Sequence, residues 1–99
     1  LIHGIAHLDN GGVVQVLGYE KNGDIILEVI DNGIGMTREK IDAIFNGEKD
    51  SDMGYGIKNV HERIQLYFGD TYGLEIISEV NFGTKIKIKI PKNYLKGEI

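Results

Sequence analysis

Apolar and polar residues alternate in some stretches of this chain and recur at helical spacing in others. Asp24 to Ile30 places Ile25, Leu27 and Val29 on one face, and Val13 to Tyr19 is rich in strand-forming residues. Between them, Glu20-Lys21-Asn22-Gly23 contains an Asn-Gly pair, so the pattern predicts an antiparallel hairpin. A second hairpin is predicted from Gly73 to Val80 and Thr84 to Ile90. Its last strand, Lys85-Ile86-Lys87-Ile88-Lys89-Ile90, alternates without a fault, with one face buried and the lysines on the wet one. Pro91 ends that strand, and 91–99 reads as a tail.

Helical spacing appears twice. In Thr37 to Asn46, Ile41, Ile44 and Phe45 form one stripe, with Thr37 as N-cap and Gly47 as stop. A longer helix opens at Met53-Gly54-Tyr55-Gly56. Its stripe is Ile57, Val60, Ile64 and Tyr67/Phe68, with Lys58, His61, Glu62 and Gln65 on the polar side and Gly69 closing it. Gly47 to Asp52 is polar and aperiodic, a surface loop. Leu1 to Leu8 reads as the end of a helix, stopped by the turn-forming Asp9-Asn10-Gly11-Gly12. Four strands and two or three helices predict an α+β fold. The arrangement is a two-layer sandwich whose mostly antiparallel sheet is covered on one face by helices, with 1–99 as a single domain.

Composition narrows the functions open to this fold. The chain has 99 residues, 41% hydrophobic and 26% charged, which is ordinary for a globular domain. It has no cysteine, so disulfide, thiol and cysteine–zinc chemistry are excluded. A net charge of −4 argues against nucleic acid as a partner. An anionic ligand would therefore be held locally, by backbone amides or a helix start. The three histidines have no second ligand at useful spacing, so no metal site is expected from them. No apolar run reaches the roughly 20 residues of a membrane helix.

The stretch with candidate chemistry is Asp31-Asn32-Gly33-Ile34-Gly35-Met36, between a predicted strand and a predicted helix. A carboxylate there accepts hydrogen bonds from an amino group and rejects groups that offer only lone pairs. The two glycines permit backbone conformations and close approaches that a Cβ forbids. Asn32-Gly33 as a plain hairpin turn is the competing reading, weakened by the helical periodicity that follows.

The order of pieces is more specific than any one of them. Asp31-x-Gly33-x-Gly35-Met36 is followed by a polar loop, then Gly54-x-Gly56-Ile57-x-Asn59-Val60-x-x-Arg63-Ile64, then Gly83-Thr84 at the last strand. This order resembles the ATP-binding domain of two-component sensor histidine kinases, in the superfamily shared with gyrase, MutL-type repair proteins and heat-shock chaperones. The wording around Asn59-Val60 and Tyr67-Phe68-Gly69 is similar to the branch typified by the LytS and YesM sensors. The resemblance implies a Bergerat-type ATP-binding fold. It implies that Asp31 bonds the adenine amino group, that Gly33 and Gly35 allow approach to base and ribose, and that Met36 closes over the adenine. It further implies that Gly54, Tyr55, Gly56 and Ile57 form the phosphate-facing glycine box and that Thr84 acts beside the aspartate. Gly47 to Met53 would be a short lid over ATP or ADP.

Ile2-His3-Gly4-Ile5 is similar to the tail of the family's first motif, which brings His3 into the nucleotide-binding set. The rest of that motif, including an asparagine that holds Mg²⁺, does not precede it here, and the chain starts at Leu1 without Met. The expectation is an N-terminally truncated piece of a longer protein, inactive alone, with weak nucleotide binding at the adenine end and little help from Mg²⁺. The parent implied is a membrane sensor with this domain in the cytoplasm. It would phosphorylate a histidine on a separate dimerisation domain, for transfer to a response regulator. An anti-sigma-type serine kinase and a nucleotide-binding regulatory module without transfer activity are the alternatives. Other readings stay open: Gly54 and Gly56 as a hinge, Met36 and Tyr55 as core or lip residues, and Arg63 on a solvated helix face. His61 is expected to face solvent.

Overall fold

The structure, a computed structural model, describes residues 2–46 and 54–92, with the backbone alone at 54 and 55. Five strands and two helices follow in the order β1 (Ile2–His7), β2 (Val13–Lys21), β3 (Asp24–Asp31), α1 (Arg38–Asn46), α2 (Gly54–Phe68), β4 (Gly73–Glu79) and β5 (Gly83–Pro91). The strands make one sheet, β1-β2-β3-β5-β4, antiparallel at every junction. Both expected hairpins form. The β2–β3 turn uses Asn22 and Gly23 at φ 55° and 85°, the left-handed conformations of a tight two-residue turn. Thr37 caps α1 through Oγ1, which accepts the Lys40 amide. Gly69 follows α2 at φ 99° and donates to the Gln65 carbonyl. The expected stop at Gly47, the loop 47–52 and the tail beyond Lys92 lie outside the described residues.

Residues 2–7 are a strand, not the end of a helix. They pair with β2 over six positions, from Ile2 opposite Gly18 to His7 opposite Val13. The ladder satisfies backbone groups that a short helix interrupted by Gly4 would leave largely unpaired.

The core lies between the helices and the β4–β5 half of the sheet. Ile44 is fully buried and packs with Ile41 and Ile76, while Met36, Phe45, Ile57 and Ile86 close around them. The α2 stripe is rotated from the expected one. Ile57, His61, Ile64, Gln65 and Phe68 are half-buried, whereas Val60 is 45% exposed and Tyr67 71%. His61 is therefore not a solvent-facing residue. Its Nδ1 accepts the Leu74 amide at 2.9 Å, and its ring meets Phe45 edge-on at 5.2 Å. It occupies the space above Gly73, where a Cβ would sit 2.6 Å from Nδ1. Histidine wins this position because β4 presents an amide that needs an acceptor.

The sheet face away from the helices is not simply wet. Ile26 and Glu28 are buried on it, at 4% and 7% exposure, although alternation points Ile25, Leu27 and Val29 the other way. Glu28 accepts the Tyr19 hydroxyl and pairs with Lys85 at 3.5 Å. Asp24 accepts the Tyr72 hydroxyl at 2.8 Å and pairs with Lys89 at 3.7 Å. On β5, Lys89 stands opposite Ile26 and Lys87 opposite Glu28, and the ammonium groups of Lys85 and Lys89 are paired.

One junction sets the functional end of the sheet. β3 ends at Asp31, opposite Thr84 near the start of β5. The loop after β3 is sewn to its neighbours: Asn32 Oδ1 accepts the Val13 amide at 2.8 Å, and the Asn81 amide donates to the Ile34 carbonyl at 2.7 Å. Two glycines make the contact possible. Gly35, at φ 73°, would carry a Cβ 2.0 Å from the Glu79 carbonyl oxygen, and Gly83, at φ 114°, one 2.1 Å from the Asp31 carbonyl oxygen.

Two outcomes follow from these contacts. Gly35→Ala adds a backbone collision to left-handed strain, so it should cost clearly more than the roughly 1–3 kcal/mol of strain alone. Gly11→Ala, at φ 86° with open space around it, carries the strain without the collision and serves as the control in urea unfolding. Equal costs at the two positions would remove the packing argument. The second outcome concerns acid. Glu28 is held below its ordinary value of 4.5, first by the Tyr19 hydrogen bond and then by Lys85 and Lys87, against the opposing effect of burial. Its folded form thus releases its proton more readily than the unfolded chain does. The associated stability is complete above pH 4.5 and is lost as pH falls through the depressed folded value. Glu28→Gln should therefore flatten the acid limb of a Tm-versus-pH curve, and an unchanged limb would refute the assignment.

Candidate functional site

Asp31, Ser78 and Thr84 share the helix-side face of the sheet, because Asp31 is in register with Thr84 and Thr84 with Ser78. Asp31 Oδ1 accepts two backbone amides, Gly33 at 2.9 Å and Thr84 at 3.2 Å. These bonds fix the carboxylate and use one oxygen. Oδ2 has no hydrogen-bond partner among the described residues and keeps its acceptor capacity. The Gly33 bond also decides between the readings of Asn32-Gly33: the chain bends around the Asp31 side chain and runs on into α1, not back along β3.

Two hollows lie near this end of the sheet. One hollow, of about 260 Å³, is lined by Asp31, Ser78 and Thr84 together with Ile30, Ile77 and Lys85, which strand alternation places on the other face of the sheet, so it is not confined to the face of the Asp31 side chain. A second, of about 310 Å³, lies across the loop after β3 and is lined by Asn10, Gly12, Asn32, Gly33 and Asn81. A larger hollow of about 520 Å³ sits at the other end of β3 and β5, near Tyr72 and Lys89. Its central charges are already engaged with one another, Asp24 with both Tyr72 and Lys89. The Asp31 end instead has an acceptor available for a ligand, and it is the better candidate.

The other expected residues divide into three groups. Met36 and Ile57 pack on the same isoleucine cluster, so the loop after β3 and the start of α2 border one patch of core. Met36 is tied further by its amide, which donates to Ser78 Oγ at 2.8 Å. α2 begins at Gly54, and Gly56 is exposed with nothing within 4 Å of where a Cβ would sit. Packing among the described residues therefore does not demand glycine at 56. The side chain of Tyr55 lies outside the described residues. Gly35 makes its close approach to Glu79, as described above.

His3 is not brought to this site. Asp31 is level with Val14 on β2 and Ala6 on β1, which puts His3 three residues farther along and two strands away. Strand alternation also places His3 on the opposite face of the sheet from Asp31. The reason is the conversion of residues 2–7 from the expected helix end into an edge strand.

Ser78 was not among the expected residues. Its hydroxyl bonds the Met36 amide, the Gly83 carbonyl and the Thr84 hydroxyl. Its one sequence signal is a polar residue at the core-facing phase of Leu74 and Ile76, where strand alternation calls for an apolar one. The described residues contain no group of three His, Asp or Glu side chains that would hold a metal ion. None of their helices is long and apolar enough to cross a membrane.

Residues 1–94 match the family described as histidine kinase-, DNA gyrase B-, and HSP90-like ATPase. The chain is 40% identical over 81 residues to the sensor protein LytS of Bacillus anthracis, covering 80% of this chain and 14% of that one. It is 37% identical over 78 residues to the sensor histidine kinase YesM of Bacillus subtilis (strain 168), covering 79% and 12%. With sporulation kinase D of the same strain it shares 32% identity over 92 residues, covering 90% and 18%. The chain thus spans less than a fifth of the length of these relatives. With nearly its whole length matched, it belongs to the histidine kinase-, DNA gyrase B- and HSP90-like ATPase family.

Proposed function

We propose that this chain is the ATP-binding catalytic domain of a sensor histidine kinase, with Asp31 as the group that selects adenine. The observation that carries the reading is the geometry of Asp31. Its Oδ1 is held by the Gly33 and Thr84 amides, and its Oδ2, without a hydrogen-bond partner among the described residues, is left as a fixed acceptor. A preorganised acceptor suits an exocyclic amino group and repels a keto oxygen.

In this reading Gly33 and Met36 border the base. Gly54, Tyr55, Gly56 and Ile57 form the start of α2 that meets the phosphates, where unpaired amides and the helix dipole favour anions. The open space at Gly56 supports that role, since no described group fills it. Thr84 stands beside the carboxylate. Residues 1–99 act as one domain. Mg²⁺ accompanies the nucleotide in phosphoryl transfer, where it offsets charge on the phosphate oxygens. The described residues offer no side-chain cluster to hold the ion by themselves, so no step of the chemistry is assigned to them through it.

The transferred phosphoryl group goes to a histidine on a separate dimerisation domain and then to a response regulator, and the parent is a membrane sensor. The similarity to LytS and YesM supports this over an anti-sigma-type serine kinase.

Calorimetric titration with ADP and GDP tests the base-recognition step. ADP should bind and GDP should not. Asp31→Asn places an amide where the acceptor was, and loss of a hydrogen bond to a charged group should weaken ADP binding about tenfold or more. Equal binding of the two nucleotides, or an Asp31→Asn variant with unchanged affinity, would overturn the reading.

A further inference from the structure

The hydroxyl of Ser78 makes more contacts than it has protons, and the count has a consequence. A serine hydroxyl has one hydrogen and two lone pairs. Three groups lie within bonding distance of Ser78 Oγ: the Met36 amide at 2.8 Å, the Gly83 carbonyl at 2.9 Å and Thr84 Oγ1 at 2.8 Å. The Met36 amide can only donate, so it takes one lone pair. The Gly83 carbonyl can only accept, so it takes the proton. One lone pair remains for Thr84, and Thr84 must therefore donate. All three bonds are satisfied in this arrangement and in no other.

We propose that Ser78 is a positioning residue that sets the polarity of the candidate nucleotide pocket by holding the Thr84 hydroxyl as an acceptor. With its proton committed to Ser78, Thr84 turns only lone pairs toward a ligand. Thr84 is in register with Asp31, so its oxygen stands beside the Asp31 carboxylate on the same face of the sheet. Asp31 Oδ2, a carboxylate oxygen, also offers only lone pairs, and it is the open one because Oδ1 is taken by the Gly33 and Thr84 amides. The pocket thus presents two acceptors and no hydroxyl donor at this point. An amino group, with two hydrogens or with one hydrogen and a bridging water, fits that surface. A keto oxygen faces lone pairs on both sides and has no threonine proton to turn toward it. The same hydroxyl ties the Met36 amide, so one side chain couples the loop after β3, the β4–β5 turn and the polarity of Thr84.

This inference rests on the adenine reading of Asp31, and the experiment separates the two. The full 99-residue chain and its Ser78→Ala, Ser78→Thr and Thr84→Val variants are titrated with ADP and with inosine diphosphate, which differs by a keto oxygen in place of the amino group. The wild type should prefer ADP. In Ser78→Ala the Thr84 hydroxyl is released to rotate and donate outward, so the preference should fall by about tenfold, mainly through better inosine binding. Ser78→Thr, which keeps the hydroxyl, should restore it. Adding Ser78→Ala to Thr84→Val should change the preference no further than Thr84→Val alone.

A fall in affinity for both nucleotides alike in Ser78→Ala would mean a structural role only and would overturn the proposal while leaving Asp31 in place. A wild type that binds ADP and inosine diphosphate equally would overturn the adenine reading as well. Proton NMR of the ligand-free chain provides the check that needs no nucleotide. The Thr84 hydroxyl proton should exchange slowly enough to be seen and should lie close to Ser78. It should vanish into solvent exchange in Ser78→Ala. A Thr84 hydroxyl already in rapid exchange in the wild type would refute the commitment of its proton.

Discussion

Asp31 Oδ1 holds together pieces of chain that have no sequence proximity. It accepts the amide of Gly33, two residues on, and the amide of Thr84, at the start of the last strand. The first bond bends the chain off the end of β3, and the second anchors that bend to the neighbouring strand. Without this carboxylate two amides would be left for water at a point where the loop and the β4–β5 turn already touch. Gly35 against Glu79, Gly83 against Asp31 and the Asn81–Ile34 hydrogen bond all depend on that docking. The acceptor offered to a ligand is the by-product of a structural bond, since fixing Oδ1 also fixes Oδ2.

The two layers divide the labour differently from what their patterning suggests. The isoleucine core of Ile41, Ile44 and Ile76 is small and sits over one half of the sheet. It is extended by polar groups whose bonds are satisfied. His61 gives Leu74 an acceptor on the helix side, and Glu28 and Asp24 pair with tyrosines and lysines on the other. These contacts are half-buried, so each contributes little alone, yet removal of one partner strands the other. They keep β3 and β5, the strands that deliver Asp31 and Thr84, covered on both faces.

Several readings failed for a common reason. Apolar residues alone predict a different α2 stripe, but the helix turns His61 and Gln65 inward and leaves Val60 and Tyr67 largely exposed, because an amide on β4 needs an acceptor. Residues 2–7 carry no periodicity strong enough to choose between helix and strand, and the free edge of β2 chose for them. That choice also moved His3 to the far face of the sheet, away from Asp31. In each case hydrogen bonds offered by a distant segment outweighed local pattern, which is how tertiary context overrides propensity.

What the sequence determined by itself was the hairpin at Asn22-Gly23, the faultless alternation of β5, the cap at Thr37, the stop at Gly69 and the ordered Asp–Gly–Gly, Gly–Gly and Gly–Thr motifs. These are local signals, set by backbone sterics and by side-chain periods of two or 3.6 residues. Only the tertiary structure decided which groups meet across the sheet. Asp31 and Thr84 are 53 positions apart, and no spacing rule links them. Ser78 showed in sequence only as a polar residue out of phase with its strand. Its three partners, and with them the direction of the Thr84 hydroxyl, come from register and from the number of protons a hydroxyl possesses.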